Sequence, residues 1–321
     1  NVSLYTFVVN DTPYCLWLEE LHDKNLKYID QIDPGYFEHV AITNSSLLEG
    51  DSKQYAALAL RAIYSQSLET FFALLFSTIQ APGAVMAWML KYKNQELREL
   101  VEKVHNRAPV RSFLIIKEGF SWEDISESVF SRIDDPEGFP DVSGKYGLLW
   151  RRLASDFLNE HRDLEYNSLK HGLRIQPGGF NVTVKASEIK GGPVKPENIR
   201  ELGGSDFGSQ YFTAKRILAD KTNFTLDSYS LNWWPDQIMQ RLRLIVSSIR
   251  CLKSYMQYLN GADEAKLEIR IPRDLSIFES AWTGQYGVAS MVRRTEFHPD
   301  DIELVSKAEI LESYDNSEDV A

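Results

Sequence analysis

Apolar residues recur along this chain with two different periods. Between Ser52 and Gln80 the run KQYAALALRAIYSQSLETFFALLFSTIQ has no Pro or Gly and is apolar on most of its circumference, which predicts a long helix central in a bundle. Ala81, Pro82 and Gly83 interrupt it, and AVMAWMLKYKNQELRELVEKVHN predicts a second helix that turns charged as it leaves the core. So short an interruption predicts an antiparallel helical pair. A third helix is expected from about Lys145 to His171, closed by Gly172, with Lys170 and His171 suiting the negative end of the dipole. A fourth opens at WWPDQ with Pro235 in its first turn. Its Ile238, Leu242, Ile245, Ile249, Leu252, Met256 and Leu259 alternate spacings of four and three, the seam of a helix packed along its length.

The other period is two. FNVTVKA places Phe180, Val182, Val184 and Ala186 on one face, and NFTLDSYSL and LEIRIP read as further strands. LYTFVV and YCLWL predict a short strand pair or a buried lead-in, DPGYF a turn, and DDPEGFPDVSGKYG a loop. SWED at 121–124 has the pattern of a capping box, so a short helix is expected to start there. The segments divide into a lead-in at 1–50, three bundle helices over 51–172, a β-rich insertion at 173–234, the fourth helix and a strand at 235–295, and an acidic tail at 296–321. The fold class expected is mainly α: a four-helix bundle with a small β-rich insertion between its third and fourth long helices.

A length of 321 residues suits one large domain or two smaller ones. The formal charge is −11. From Glu296 onward nine carboxylates face only Lys307, so the tail carries −8 and the remainder is near neutral. The tail is expected to be a loose helix plus a disordered end and to suit a basic protein partner. No basic run tracks a nucleic-acid backbone, so a large nonspecific nucleic-acid surface is not expected, while a small local anion site stays compatible with the near-neutral body. No apolar window has the length of a membrane span, so no membrane partner is expected. Cys15 and Cys251 make neither a disulfide framework nor a metal knuckle. Five N-x-S/T triplets are a slight excess over chance, although Asn10 has a poor acceptor context, and a reducing, cytoplasmic compartment is expected over secretion.

The densest candidate chemistry is EYNSLKHGLR, 165–174. On a wheel of about 100° per residue, Trp150, Leu153, Ala154, Phe157 and Leu164 form one face of the third helix, and His161, Asn167, Ser168 and His171 continue it. Arg162 and Tyr166 point away, and Lys170 sits at the edge. Two readings follow. In one, Asn167 and His171 bond neighbouring backbone where the helix docks, because buried polar groups need partners. In the other, His171 with Asn167 forms a catalytic pair, His171 serving as acid or base near neutrality, and Lys170, Arg174, His161 and Ser168 fix an anionic ligand. Glu160, His161 and Glu165 lack the second Glu-x-x-His that a di-metal bundle needs, so neither metal nor cofactor is expected. GGSDFGSQ lacks the Lys of a phosphate loop, and no Gly-x-Ser-x-Gly elbow occurs.

The N-x-x-K-H-G pattern of Asn167, Lys170, His171 and Gly172 on a helical bundle resembles HEPN-type domains of prokaryotic toxin and antiphage systems. The resemblance implies a metal-independent ribonuclease acting on RNA or a nucleotide, usually as a homodimer, with an Arg and a His at a composite site. That family sets its Arg four to six residues before the His, whereas Arg162 stands with eight residues between. His171 alone carries over, and the departure fits a non-catalytic relative. The function expected is a binding or regulatory component of a stress or defence system, with the His171 ribonuclease as the alternative.

Overall fold

The structure, a computed structural model, describes residues 1–131, 141–172, 174–185, 199–217, 222–263, 271–283, 287–294 and 296–315. It divides into two compact units, Asn1–Asp163 with Pro235–Gln285, and Leu164–Trp234 with Tyr286–Ala321.

The first unit begins with an antiparallel hairpin, β1 (Val2–Val9) and β2 (Thr12–Glu19), in the register Val9↔Thr12. Its tip needs a left-handed residue, and Asn10 supplies one at φ 54°. The tip is tied down: Asn10 N–H donates to Gln80 Oε1 at 3.0 Å, its side-chain amide donates to Glu99 at 2.8 Å, and Lys103 donates to its Oδ1 at 2.7 Å. Then come α1 (Leu21–Asp30), α2 (Gly35–Ser45), α3 (Lys53–Gln80), α4 (Val85–Lys91), α5 (Asn94–His105), α6 (Trp122–Phe130) and α7 (Val142–Leu158). After the second unit's strands the chain returns as α9 (Pro235–Leu259) and α10 (Ile277–Ser280). α3 is buried along almost its whole length because α2, α4, α5, α7 and α9 all pack on it. Phe71 meets Trp150 at 5.7 Å between centroids and Phe72 meets Trp122 at 5.6 Å, so aromatic rings fill the space around it. The α9 seam from Ile238 to Met256 is buried as its spacing requires, and Ser248 Oγ accepts from Trp150 Nε1 at 3.1 Å.

α8 (Glu160–Lys170) crosses the division between the units. Beyond it the second unit holds β3 (Ile175–Pro177), β4 (Asn181–Lys185), β5 (Ile199–Gly204), β6 (Gly208–Arg216), β7 (Phe224–Asn232), β8 (Ser290–Arg293) and α11 (Lys307–Asp315). One four-stranded antiparallel sheet runs β3-β6-β7-β8, and β4 pairs with β5 separately.

This architecture corrects the expected fold class. Of the described residues 54% are helical and 19% lie in strands, and a mixed α/β fold with three sheets replaces the mainly α four-helix bundle. Two expected long helices are each two. The second breaks at Tyr92 and Lys93, both extended, where Glu96 accepts from Lys93 N–H at 3.0 Å to start α5. The third breaks at Asn159, whose ψ of 113° ends α7. Asn159 Oδ1 and its carbonyl then accept from Arg162 N–H, so Asn159 caps α8. At Ala81 the chain bends by 115°, so α3 and Pro82–Lys91 do not form a long antiparallel pair. The capping box does form: Asp124 N–H donates to Ser121 Oγ at 3.2 Å, and Ser121 N–H to Asp124 at 2.7 Å. The segment DPGYF, expected as a turn, begins α2, with Asp33 accepting from Gly35 N–H. Of LEIRIP, residues 267–270 lie outside the described residues, as do 134–140 of the expected loop, whose remainder is not loop but opens α7 at Val142, and 316–321 of the tail. Among the described residues no single helix is long and apolar enough to cross a membrane.

Charge is also built into the first unit. Asp156 of α7 accepts from Tyr64 Oη at 2.5 Å and lies 3.1 Å from guanidinium nitrogens of both Arg162 and Arg241. Burial pushes its carboxyl upward, but Arg162, Arg241, Tyr64 and Arg61 outweigh that and hold it below the usual carboxylate range. Burial, followed by the Asp156 charge, raises Tyr64. Arg162 also stacks 4.5 Å over the Tyr64 ring, and Arg241 5.0 Å over Trp282.

Candidate nucleic-acid interface

Alternation gives the four-stranded sheet of the second unit two unlike faces. On one, Ile175, Ser209, Tyr211 and Leu231 are buried. α8 is fastened there by Glu165, a carboxylate only 2% exposed, whose Oε1 accepts from Ser209 Oγ and, at 3.1 Å, from Trp233 Nε1. Two donors satisfy a charge that would otherwise be costly to bury. Gly208, at the start of β6, admits no side chain, since a Cβ there would meet Leu231 O at 2.2 Å.

The opposite face is open over much of its area. The register sets Phe212 beside Ser228 and Ser228 beside Arg293, Ala214 beside Leu226, and Arg216 beside Phe224. Phe212 is 61% exposed, Phe224 55% and Leu226 54%. Arg216 and Arg293 are exposed on the same face, and among the described residues neither forms an ion pair. The nearest strand carboxylate, Asp227, points to the α8 side and is taken by Arg294 Nε at 3.1 Å. Phe212 and Arg216 stand about 13 Å apart along β6, at roughly 3.3 Å per residue. Two phenyl rings, an aliphatic step between them and two guanidinium groups thus share one accessible sheet surface.

The residues at the helix end fall around the edge of this sheet. Lys170, His171 and Arg174 are exposed, Asn167 is half-buried, and Ser168 is buried. The helix finishes through backbone bonds, His171 N–H to Asn167 O at 3.0 Å and Arg174 N–H to Ser168 O at 2.8 Å, with Gly172 at φ 98°. Lys170 Nζ lies 5.6 Å over the Tyr166 ring. Arg174 immediately precedes β3, and continuing the register Ile175↔Tyr211 carries it toward Phe212. Asn167, Lys170, His171 and Arg174 all belong to the second unit. His161 is assigned to the first unit, which takes α8 as far as Asp163. The wheel's buried face does not survive the break at Asn159. In α8 the buried residues are Glu165 and Ser168, while His171 is outside and Arg162 is only 11% exposed against Asp156.

Phe212, Arg216, Phe224, Leu226 and Arg293 carry no motif. The signal available was the GSQYFTAKR alternation, which puts Tyr211 on one face of β6 and Phe212 on the other. Which ring stays in solvent is decided by α8. Comparisons of the chain with protein-family models, with curated proteins and with solved structures give no match.

Proposed function

We propose that the chain is a binding protein for single-stranded nucleic acid, RNA foremost, using the open sheet face of its second unit. The observation that carries this is the shared exposure of Phe212 and Phe224 with Arg216 and Arg293 on one face. Every base has a flat face that stacks on a phenyl ring, and guanidinium groups beside the rings meet the phosphates. Gln176 and Gln210, exposed on the same side, offer donors and acceptors to base edges. Arg174 and Lys170 extend the cationic surface at the neighbouring helix end, beside the exposed His171. The resemblance of that helix end to HEPN-type domains, whose active members act on RNA, points to the same ligand class.

The test is fluorescence anisotropy with a labelled oligouridylate, competed by duplex RNA. Stacking contributes about 1–3 kcal/mol per base, so the double variant Phe212→Ala/Phe224→Ala binds roughly 30-fold more weakly or worse. Arg216→Gln/Arg293→Gln lowers the slope of log affinity against log salt by about 1.4. Absence of binding by the parent chain, or unchanged affinity in the phenylalanine variant, removes the proposal. Cleavage of the probe that disappears in His171→Ala makes the protein a ribonuclease instead.

A further inference from the structure

The first unit contains a cleft of about 310 Å³ that the sheet face does not involve. Its base is one stripe of α9, Arg243, Val246, Ser247 and Arg250, at the i, i+3, i+4, i+7 spacing that puts side chains on a single helix face. Glu38 of α2 stands on one side, and the segment Ile271–Asp274 with Ile277 forms the other. Three guanidinium groups, of Arg243, Arg250 and Arg273, face two carboxylates. Glu38 is occupied by Arg250 at 2.7 Å, and Asp274 by the backbone N–H and hydroxyl of Ser276 at 3.0 and 2.7 Å. Among the described residues Arg243 and Arg273 form no ion pair. The lining thus carries a net charge of +1 in a chain whose total is −11. Val246, Ile271, Pro272 and Ile277 supply an apolar wall between the charges.

We infer that this cleft is a second binding site, for a small organic phosphate whose anionic head lies between Arg243 and Arg273 and whose flat apolar body lies on Val246, Pro272 and Ile277. The volume is at the lower end of the range that small-molecule sites occupy, about 300–1,000 Å³. A phosphate suits it better than a carboxylate, since its three terminal oxygens can engage more than one guanidinium fork at once. Glu38 competes with the ligand for Arg250, so the site holds its own internal anion and is tuned to moderate affinity.

The experiment is isothermal titration of the full chain with adenosine 5′-monophosphate, adenosine, inorganic phosphate and benzoate. Adenosine monophosphate is expected to bind most tightly, because it alone joins a phosphate to a flat body. Arg243→Gln/Arg273→Gln weakens it about tenfold or more, an effect that shrinks at high salt as surface electrostatics are screened. Glu38→Gln strengthens it severalfold by releasing Arg250, a gain that a purely structural role for this pair would not produce. Phe212→Ala/Phe224→Ala leaves it unchanged, so this site and the RNA face fail or succeed separately. The inference is overturned if adenosine monophosphate does not bind, if benzoate binds equally well, or if the arginine variant, folded by circular dichroism, keeps full affinity.

Discussion

Replacing Asp156 by Ala is the sharpest test of how the first unit is held together. The carboxylate accepts from Tyr64 and Arg241 and forms an ion pair with Arg162. These three partners come from α3, α9 and α8, while Asp156 itself belongs to α7. Its removal takes from two guanidinium groups, whose side chains are 11% and 9% exposed, the carboxylate that both pair with, and leaves a buried phenol without its acceptor. Breaking a fully buried pair costs about 3–5 kcal/mol. Asp156 is itself 20% exposed, so solvent screening reduces this to about 2–4 kcal/mol. In a unit of this size each kcal/mol moves the melting temperature by about 2–4 °C, so a drop of roughly 5–15 °C is expected. Asp156→Asn, which keeps one carbonyl acceptor and the volume, falls between the parent and the Ala variant. The pH dependence has a definite sign. The folded carboxyl lies below its ordinary value, so its contribution is complete above the unfolded value, near 3.9, and is lost as pH falls toward the folded one. Scanning calorimetry at pH 7 and along an acid series measures both effects. An Ala variant that melts within about 2 °C of the parent at pH 7 would refute the reasoning, because the arginines would then not depend on this carboxylate.

Two further outcomes follow from the same physics. Glu165→Ala leaves Ser209 Oγ–H and Trp233 Nε1–H buried without their acceptor, at about 1–3 kcal/mol each, and should speed amide exchange in β6 and β7 while that of α3 is unchanged. Asp124 is pushed up by burial but drawn further down, to about 2, by Lys117 and by the Ser121 N–H and hydroxyl. Asp124→Asn should therefore lose stability at neutral pH, and its unfolding curve should converge with the parent's as pH falls from about 4 through 2.

Much of the local structure was legible in the sequence, because it depends on neighbours a few residues apart. The absence of Pro and Gly over 53–80 and the four-three repeat of α9 specify helices wherever the partners lie. The Ser121–Asp124 cap closes within one turn, and Gly172 can adopt the positive φ that ends α8. The breaks at Tyr92–Lys93 and Asn159 were hidden because the apolar pattern continues through them. Asn159 is a good cap followed by Glu160, and that local signal was outweighed by the run of apolar periodicity on either side. Once the extended Asn159 interrupts the helix, a wheel drawn from Trp150 loses its phase, and His171 is exposed while Arg162 rests on Asp156.

What only the tertiary structure decided is which chemistry ends up together. β8 joins β7 across more than fifty residues, in the register Ser228↔Arg293, and that pairing alone brings Arg293 to the row of Phe212. Alternation in β6 makes one of Tyr211 and Phe212 face solvent, but the choice belongs to α8, which docks through Glu165 on the Tyr211 side. Periodicity determines that a strand has two faces and a helix a stripe. Which face is buried depends on contacts between segments far apart in the chain, and no window of sequence contains them.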